Sequence, residues 1–231
     1  MLRTEDLSKR YLRRGHEIAA LDAVSLSVAE GEFASIMGPS GSGKSTLLLA
    51  LGGLIHPSQG KVYLDGKSLY DLPREERAAL RRTTIGFVFQ TFNLVPYLTA
   101  LENVQVPLYL NRLSRAKQRE RAADLLSKVG LGDRLGHKPS ELSVGEQQRV
   151  ALARTLANKP HVILADEPTG NLDPALADEM LDHLSDLQAG GATVVMVTHD
   201  PRMAARAKRQ IRLAEGRIVT TESGESQGVG A

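Results

Sequence analysis

The 231-residue chain has no cysteine, no tryptophan, four phenylalanines and five tyrosines. Without cysteine there is no disulfide, no thiolate zinc site and no thiol nucleophile, an absence that fits a reducing compartment. Aromatic residues make up only 4%, so the core must be aliphatic and an aromatic in a polar stretch invites a functional reading. The longest nearly apolar run, Leu47 to Ile55, falls far short of the roughly 20 residues that cross a bilayer. The amino-terminal residues show no basic-then-apolar signal segment. A net charge of only +2 gives no footing for polyanion binding as the main task, so no nucleic-acid partner is expected. These absences describe a soluble, cytoplasmic chain that reaches a membrane only through a partner. What is present is a globular 42% of hydrophobic residues. At roughly 100–200 residues per domain, the length fits one large domain or one domain with an inserted subdomain.

Apolar alternation predicts early strands at Leu2 to Leu7, Leu21 to Val28 and Glu32 to Met37. A glycine-rich turn follows, then a helix at Lys44 to Leu54 that is apolar nearly all round and therefore buried. Gly60 to Leu64 and Lys67 to Leu69, joined at Asp65-Gly66, read as a hairpin, and Thr84 to Phe89 reads as a strand. From Thr91 to Val150 strand signals vanish and Arg115 to Val129 has helical periodicity, which marks a helical insert. The charge run on that helix reads as a solvated face. Strands return at His161 to Ala165 and Thr193 to Val197, each after a helical stretch, the pattern of a parallel sheet with crossover helices. Ile211 to Leu213 and Arg217 to Thr220 suggest a last hairpin, and residues 221–231 a frayed tail rich in Gly, Ser and Glu.

Gly38-Pro39-Ser40-Gly41-Ser42-Gly43-Lys44-Ser45, followed by Thr46, lies between a strand and a helix and fits G-x-x-x-x-G-K-[ST]. Its glycines let backbone N–H groups close around a phosphate, and the helix N-terminus adds positive charge. Lys44 can then reach the β- and γ-phosphates and Ser45 can offer its hydroxyl to Mg²⁺. Val162 to Ala165 is a buried strand ending in Asp166 and Glu167, at the carboxyl edge where parallel sheets hold ligands. Asp166 can hold Mg²⁺ through water, and Glu167 can act as general base for an attacking water. Ser143 and Glu146 form a capping box that opens a helix through Leu156, and a helix start with Ser and Gly145 can also meet an anion.

With Leu142 to Gln147, Gln90 after its strand, Asn171-Leu172-Asp173 and His199, the chain resembles the nucleotide-binding subunit of ATP-binding-cassette (ABC) transporters from about residue 1 to 220. The resemblance implies an α/β fold: a RecA-like P-loop NTPase core at 1–90 and 151–220 with an antiparallel β-subdomain, and an inserted α-helical signature subdomain at 91–150. It also implies ATP and Mg²⁺ as cofactors and ATP hydrolysis as the activity. Tyr11 would stack on adenine, Gln90 would read Mg²⁺ and the water, and His199 would support Glu167 and the γ-phosphate. Ser143, Gly145 and Glu146 would complete the site of a second copy in a head-to-tail dimer, with Asp173 at the dimer contact. Signature position 144 is Val where Gly is commonest and 146 is Glu where Gln is common, which bears on rate and not on identity.

The stretches Phe89 to Val104 and Ala165 to Asp173 look most like the lipoprotein-releasing and macrolide-exporter group of ATPase subunits, with cell-division ABC ATPases as close relatives. By that likeness, integral membrane permease subunits would dock near residues 91–104, with Leu94, Val95, Tyr97 and Leu98 as an apolar seat, placing the chain on the inner face of the cell membrane. Two alternatives are a soluble ABC ATPase acting on DNA or ribosomes and a nucleotide-gated regulator that moves no substrate. The former is disfavoured because Lys44 and Asp166 are 122 residues apart, without sustained heptads or a second cassette.

Overall fold

The computed structural model describes residues 1–223. The first two strands, β1 (Leu2–Arg13) and β2 (His16–Val28), run well beyond the stretches their apolar alternation marks, because their far ends continue as a largely exposed two-stranded ribbon. β3 (Phe33–Met37) leads through the glycine-rich turn into α1 (Lys44–Leu51). The expected hairpin forms as β4 (Gln59–Leu64) and β5 (Lys67–Ser68). After it comes a helix that alternation does not reveal, α2 (Arg74–Thr84), whose only buried residue is Thr84. β6 (Ile85–Phe89) precedes the helical insert of α3 (Ala100–Gln105), α4 (Arg115–Lys128) and α5 (Val144–Leu156). The chain continues with β7 (Val162–Asp166), α6 (Pro174–Ala189), β8 (Thr193–Thr198), α7 (Pro201–Ala204), β9 (Arg209–Ala214) and β10 (Arg217–Ser223). β10 takes in Thr221, Glu222 and Ser223 of the expected tail, and the rest of that tail lies outside the described residues.

Two sheets result. The order β2-β1-β4-β5 makes an antiparallel sheet, and β10-β9-β3-β8-β7-β6 makes a sheet that is parallel except for β10. β8 explains why its sequence is continuously apolar: Val195 and Val197 face α1, while Val194 and Met196 face α6. Both faces of a parallel sheet are covered by its crossover helices, so alternation disappears. Each fully buried Leu, Ile or Val in these layers contributes about 1.5–3 kcal/mol of transfer free energy.

The insert has a separate core, in which Leu101 and Val104 of α3 meet Ala122 and Leu126 of α4 and Val150 and Ala153 of α5. α5 does not stop at residue 150. It runs on to Leu156, which packs against the core under α6, while Thr155 Oγ1 donates 2.7 Å to the carbonyl of Phe87 in β6. A boundary drawn between 150 and 151 therefore falls inside one continuous helix that belongs to both halves.

α3 begins with a reciprocal capping box: Thr99 Oγ1 accepts from the Glu102 amide at 3.2 Å, and Glu102 Oε2 accepts from the Thr99 amide at 2.8 Å. The Thr99 amide, and the Thr99 hydroxyl 2.9 Å from the same carboxylate oxygen, hold the Glu102 carboxyl below its ordinary value of 4.5. Thr99→Ala is expected to cost about 1 kcal/mol in denaturant unfolding at neutral pH. A lowered carboxyl pKa stabilises the fold above the unfolded value and loses that contribution as pH falls through the folded one. The melting-temperature deficit of Glu102→Ala should therefore be present at pH 7 and shrink below pH 4.5, and a deficit independent of pH would contradict the box as its source.

Candidate functional site

Strand register builds the site. Met37 of β3 lies level with Thr198 of β8, Val197 of β8 with Asp166 of β7, and Asp166 with Phe89 of β6. The residues that follow, Gly38, His199, Glu167 and Gln90, therefore leave the sheet together at its carboxyl edge, where open α/β sheets hold ligands. A cavity of about 670 Å³ opens there, lined by Pro39, Ser40, Gly41, Gly43, Lys44, Ser45, Thr46, Glu167, His199 and Ala20. Ala20, on β2, was not expected. It is the extra residue where the β1–β2 register shifts between Lys9 and Arg10, and no local sequence signal marks it.

The loop is shaped by close approach. A Cβ on Gly43, whose φ is +101°, would lie 2.2 Å from the Ala20 carbonyl oxygen, and one on Gly38 would lie 2.0 Å from that of Leu213. No other residue fits either position. Lys44 is nearly buried, and its Nζ donates to the carbonyls of Gly38 at 2.8 Å and Pro39 at 3.0 Å, so the amine lies across the loop. Ser42 Oγ is buried with no partner among the described residues. A ring of backbone amides with a cation and an unpaired hydroxyl is the donor set a phosphate chain satisfies.

Opposite the loop, Ser45 Oγ donates 2.9 Å to Asp166 Oδ1. Burial pushes the Asp166 carboxyl above its ordinary value, and the Ser45 bond pulls against that. Two hard oxygen donors side by side, with no larger cluster of His, Cys, Asp or Glu among the described residues, suit Mg²⁺, which takes one or two protein oxygens and completes its shell with phosphate and water. Glu167 adopts φ +47°, a left-handed conformation that costs a non-glycine residue about 1–3 kcal/mol. Its amide is held by the Val197 carbonyl at 2.9 Å, and its Oε2 lies 2.8 Å from His199 Nδ1. The carboxylate is mostly shielded while the imidazole is largely exposed toward the cavity mouth.

The remaining expected residues lie outside the cavity wall. Gln90 is exposed and paired with Asn171: its Nε2 donates to Asn171 Oδ1 at 3.4 Å, and Asn171 Nδ2 returns a bond to the Gln90 carbonyl at 3.2 Å. Tyr11 lies opposite Ile18 in the ribbon, 41% exposed, with Lys9 Nζ 5.1 Å above its ring. Asp173 caps α6, accepting from Ala175 at 3.0 Å and Leu176 at 3.1 Å ahead of Pro174. Ser143 and Glu146 close their capping box, and Glu146 also meets Arg134 at 3.4 Å. Gly145 is buried where a Cβ would come within 2.7 Å of Leu176, whereas Val144 is half exposed. No residue of the insert reaches the cavity of its own chain.

A second, shallower groove of about 450 Å³ lies where insert and sheet meet, lined by Leu54, Phe87, Phe89, Asn93, Val106, Pro107 and Arg154, among others. Of the expected apolar seat, Tyr97 is 74% exposed, whereas Leu94 packs inward against the insert core. Asn93 is the one groove-lining residue inside 91–104.

Comparison with known proteins agrees with this geometry. The profile of the ABC transporter family matches residues 21–170. The lipoprotein-releasing system ATP-binding protein LolD of Aquifex aeolicus is 49% identical over 219 residues, covering 95% of this chain and 96% of that protein. The macrolide export ATP-binding/permease protein MacB of Hyphomonas neptunium is 46% identical over 98% of this chain, which spans only 35% of that longer protein. Among solved structures, a dimeric ATP-binding cassette in a post-hydrolysis state with ADP and phosphate superposes with a TM-score of 0.89 at 46% identity, covering 96% of this chain and 98% of that one. The fold, the glycine-rich loop beside paired carboxylates and this likeness establish that the chain belongs to the ABC transporter family.

Proposed function

We propose that this cassette binds ATP with Mg²⁺ in the 670 Å³ cavity and hydrolyses it in a head-to-tail pair of copies that drives integral membrane permease subunits in export or lipoprotein release. The observation that supports this reading is the His199–Glu167 contact in the cavity that Lys44 also lines, because a carboxylate held by an imidazole there can serve as the base. In this reading the loop amides, Lys44 and the Ser42 hydroxyl hold the phosphates. Ser45 and Asp166, with Gln90, would hold Mg²⁺, which would supply charge neutralisation for the phosphates. Glu167 takes the proton of the attacking water, and His199 keeps the carboxylate turned toward it. Tyr11 offers its ring to the base, a contact worth about 1–3 kcal/mol.

The opposing copy supplies Ser143, Gly145 and Glu146, which explains why they stand away from their own cavity, and Asp173 fixes the α6 start beside that contact. ATP then stabilises the pair by mass action. The groove containing Phe87, Phe89, Asn93 and Val106 receives a cytoplasmic segment of the permease. No helix among the described residues is long and apolar enough to cross a membrane. The chain works at the inner face of the cell membrane through its partner, with residues 91–150 as the moving signature subdomain and 1–90 and 151–220 as the catalytic core with its β-subdomain.

Glu167→Gln is expected to keep ATP affinity, lower turnover at least about a hundredfold and accumulate an ATP-bound dimer in light scattering. Turnover at the parental rate would remove Glu167 as the base. Lys44→Ala and Gly43→Ala should each weaken ATP binding by at least tenfold in calorimetry, about 1.4 kcal/mol. Undiminished binding in both would overturn the phosphate-loop assignment.

A further inference from the structure

Arg154 stands near the end of α5, half-buried, and has no carboxylate partner among the described residues. The side chain spends its fork on two neighbouring carbonyls: Nη2 donates to Phe92 and Nη1 to Asn93, each at 2.6 Å. Burial lowers its pKa, so the arrangement carries a desolvation cost that a neutral side chain would avoid. The loop it grips is otherwise built to hold one shape. Asn93 sits at φ +49° with its side chain accepting from Thr91 at 3.0 Å, and Gln90 is tied to Asn171 beyond the Glu167 turn. Asn93 and Arg154 both line the groove at the insert junction.

We propose that Arg154 is a positioning residue that locks the loop after Gln90 to α5, so that a segment pressed into the groove sets the orientation of the Ser143–Gly145 helix start. This rests on the function proposed above. α5 is the lever: ten residues separate Val144 from Arg154, about 15 Å of helix. The helix is anchored in the insert core through Val150 and Ala153. Its far end reaches the sheet through Thr155 and the Phe87 carbonyl. Arginine suits the task because its planar, rigid fork presents two donors in fixed geometry to two adjacent acceptors, whereas an ammonium is a point donor on a flexible stem.

Arg154→Ala and Arg154→Lys, placed in Glu167→Gln protein, test the proposal. ATP-dependent dimerisation, followed by analytical ultracentrifugation, should weaken at least tenfold in the alanine variant and less in the lysine variant. Binding of a fluorescent ATP analogue to the single chain should stay within twofold. Hydrogen exchange on the nucleotide-free alanine variant should quicken at residues 90–94 and 143–147 and stay at the parental rate in β3, β7 and β8. Parental exchange at 143–147 with unchanged dimerisation would overturn the proposal. So would a joint loss of nucleotide affinity, dimerisation and protection throughout the chain, which would make Arg154 a stability residue only. If Glu167→Gln protein itself fails to pair with ATP, the proposed function fails, and exchange at 143–147 in the unpaired chain still decides the role of Arg154.

Discussion

The level parallel register of β3, β8, β7 and β6 is the constraint on which the rest depends. Hydrogen-bonded strands cannot slide by one residue without turning every side chain to the opposite face. Because Val194 and Met196 are buried on one face of β8 and Val195 and Val197 on the other, a slip would exchange the groups meeting α1 and α6, whose shapes differ. Core packing thus sets the height at which each chain leaves the sheet. Gly38, His199, Glu167 and Gln90 converge because of apolar residues that touch no ligand.

At that edge the backbone does as much as the side chains. The phosphate loop passes so close to Ala20 and Leu213 that glycine is required at 43 and 38, which joins the antiparallel sheet to the catalytic cavity by steric contact. Glu167 tolerates a left-handed backbone because Val197 holds its amide and His199 holds its carboxylate. The left-handed turn leaves Glu167 lining the cavity beside His199. Asp166, one residue earlier, is tied to Ser45 and set apart from Glu167 by its surroundings.

The helical insert is joined to the sheet by a helix that both share. Its start carries the capping box of Ser143 and Glu146, and its end grips the loop after Gln90 and the edge of β6. A boundary at residue 150 is natural in a linear reading, where strand signals resume only later, but α5 crosses it without a break. Gly145 buried against Leu176 adds a second contact between the start of α5 and the start of α6. Insert and core are therefore joined at both ends of α5, and between them by Arg149, which meets Glu179 of α6 at 3.2 Å.

Features that depend on neighbours in the chain were legible in the sequence. The phosphate loop, the Ser143 and Asp173 caps, the Asp65-Gly66 turn and the apolar strands before Asp166 and His199 all arise from interactions within a few residues, whose spacing the sequence displays. α2 escaped because its helix buries almost nothing, and the ends of β1 and β2 escaped because a ribbon exposed on both sides has no alternation. The cap on α3 was equally local, as Thr99 and Glu102, and lay within reach of the same rule. Contacts between distant segments were decided only by the folded chain. Ser45 meets Asp166, Glu167 meets His199, Ala20 closes on Gly43, and Arg154 holds Phe92 and Asn93, each across tens of residues. Residue types state what each group can do. Which groups meet is set by strand order, register and the packing of α5, and these are properties of the whole core.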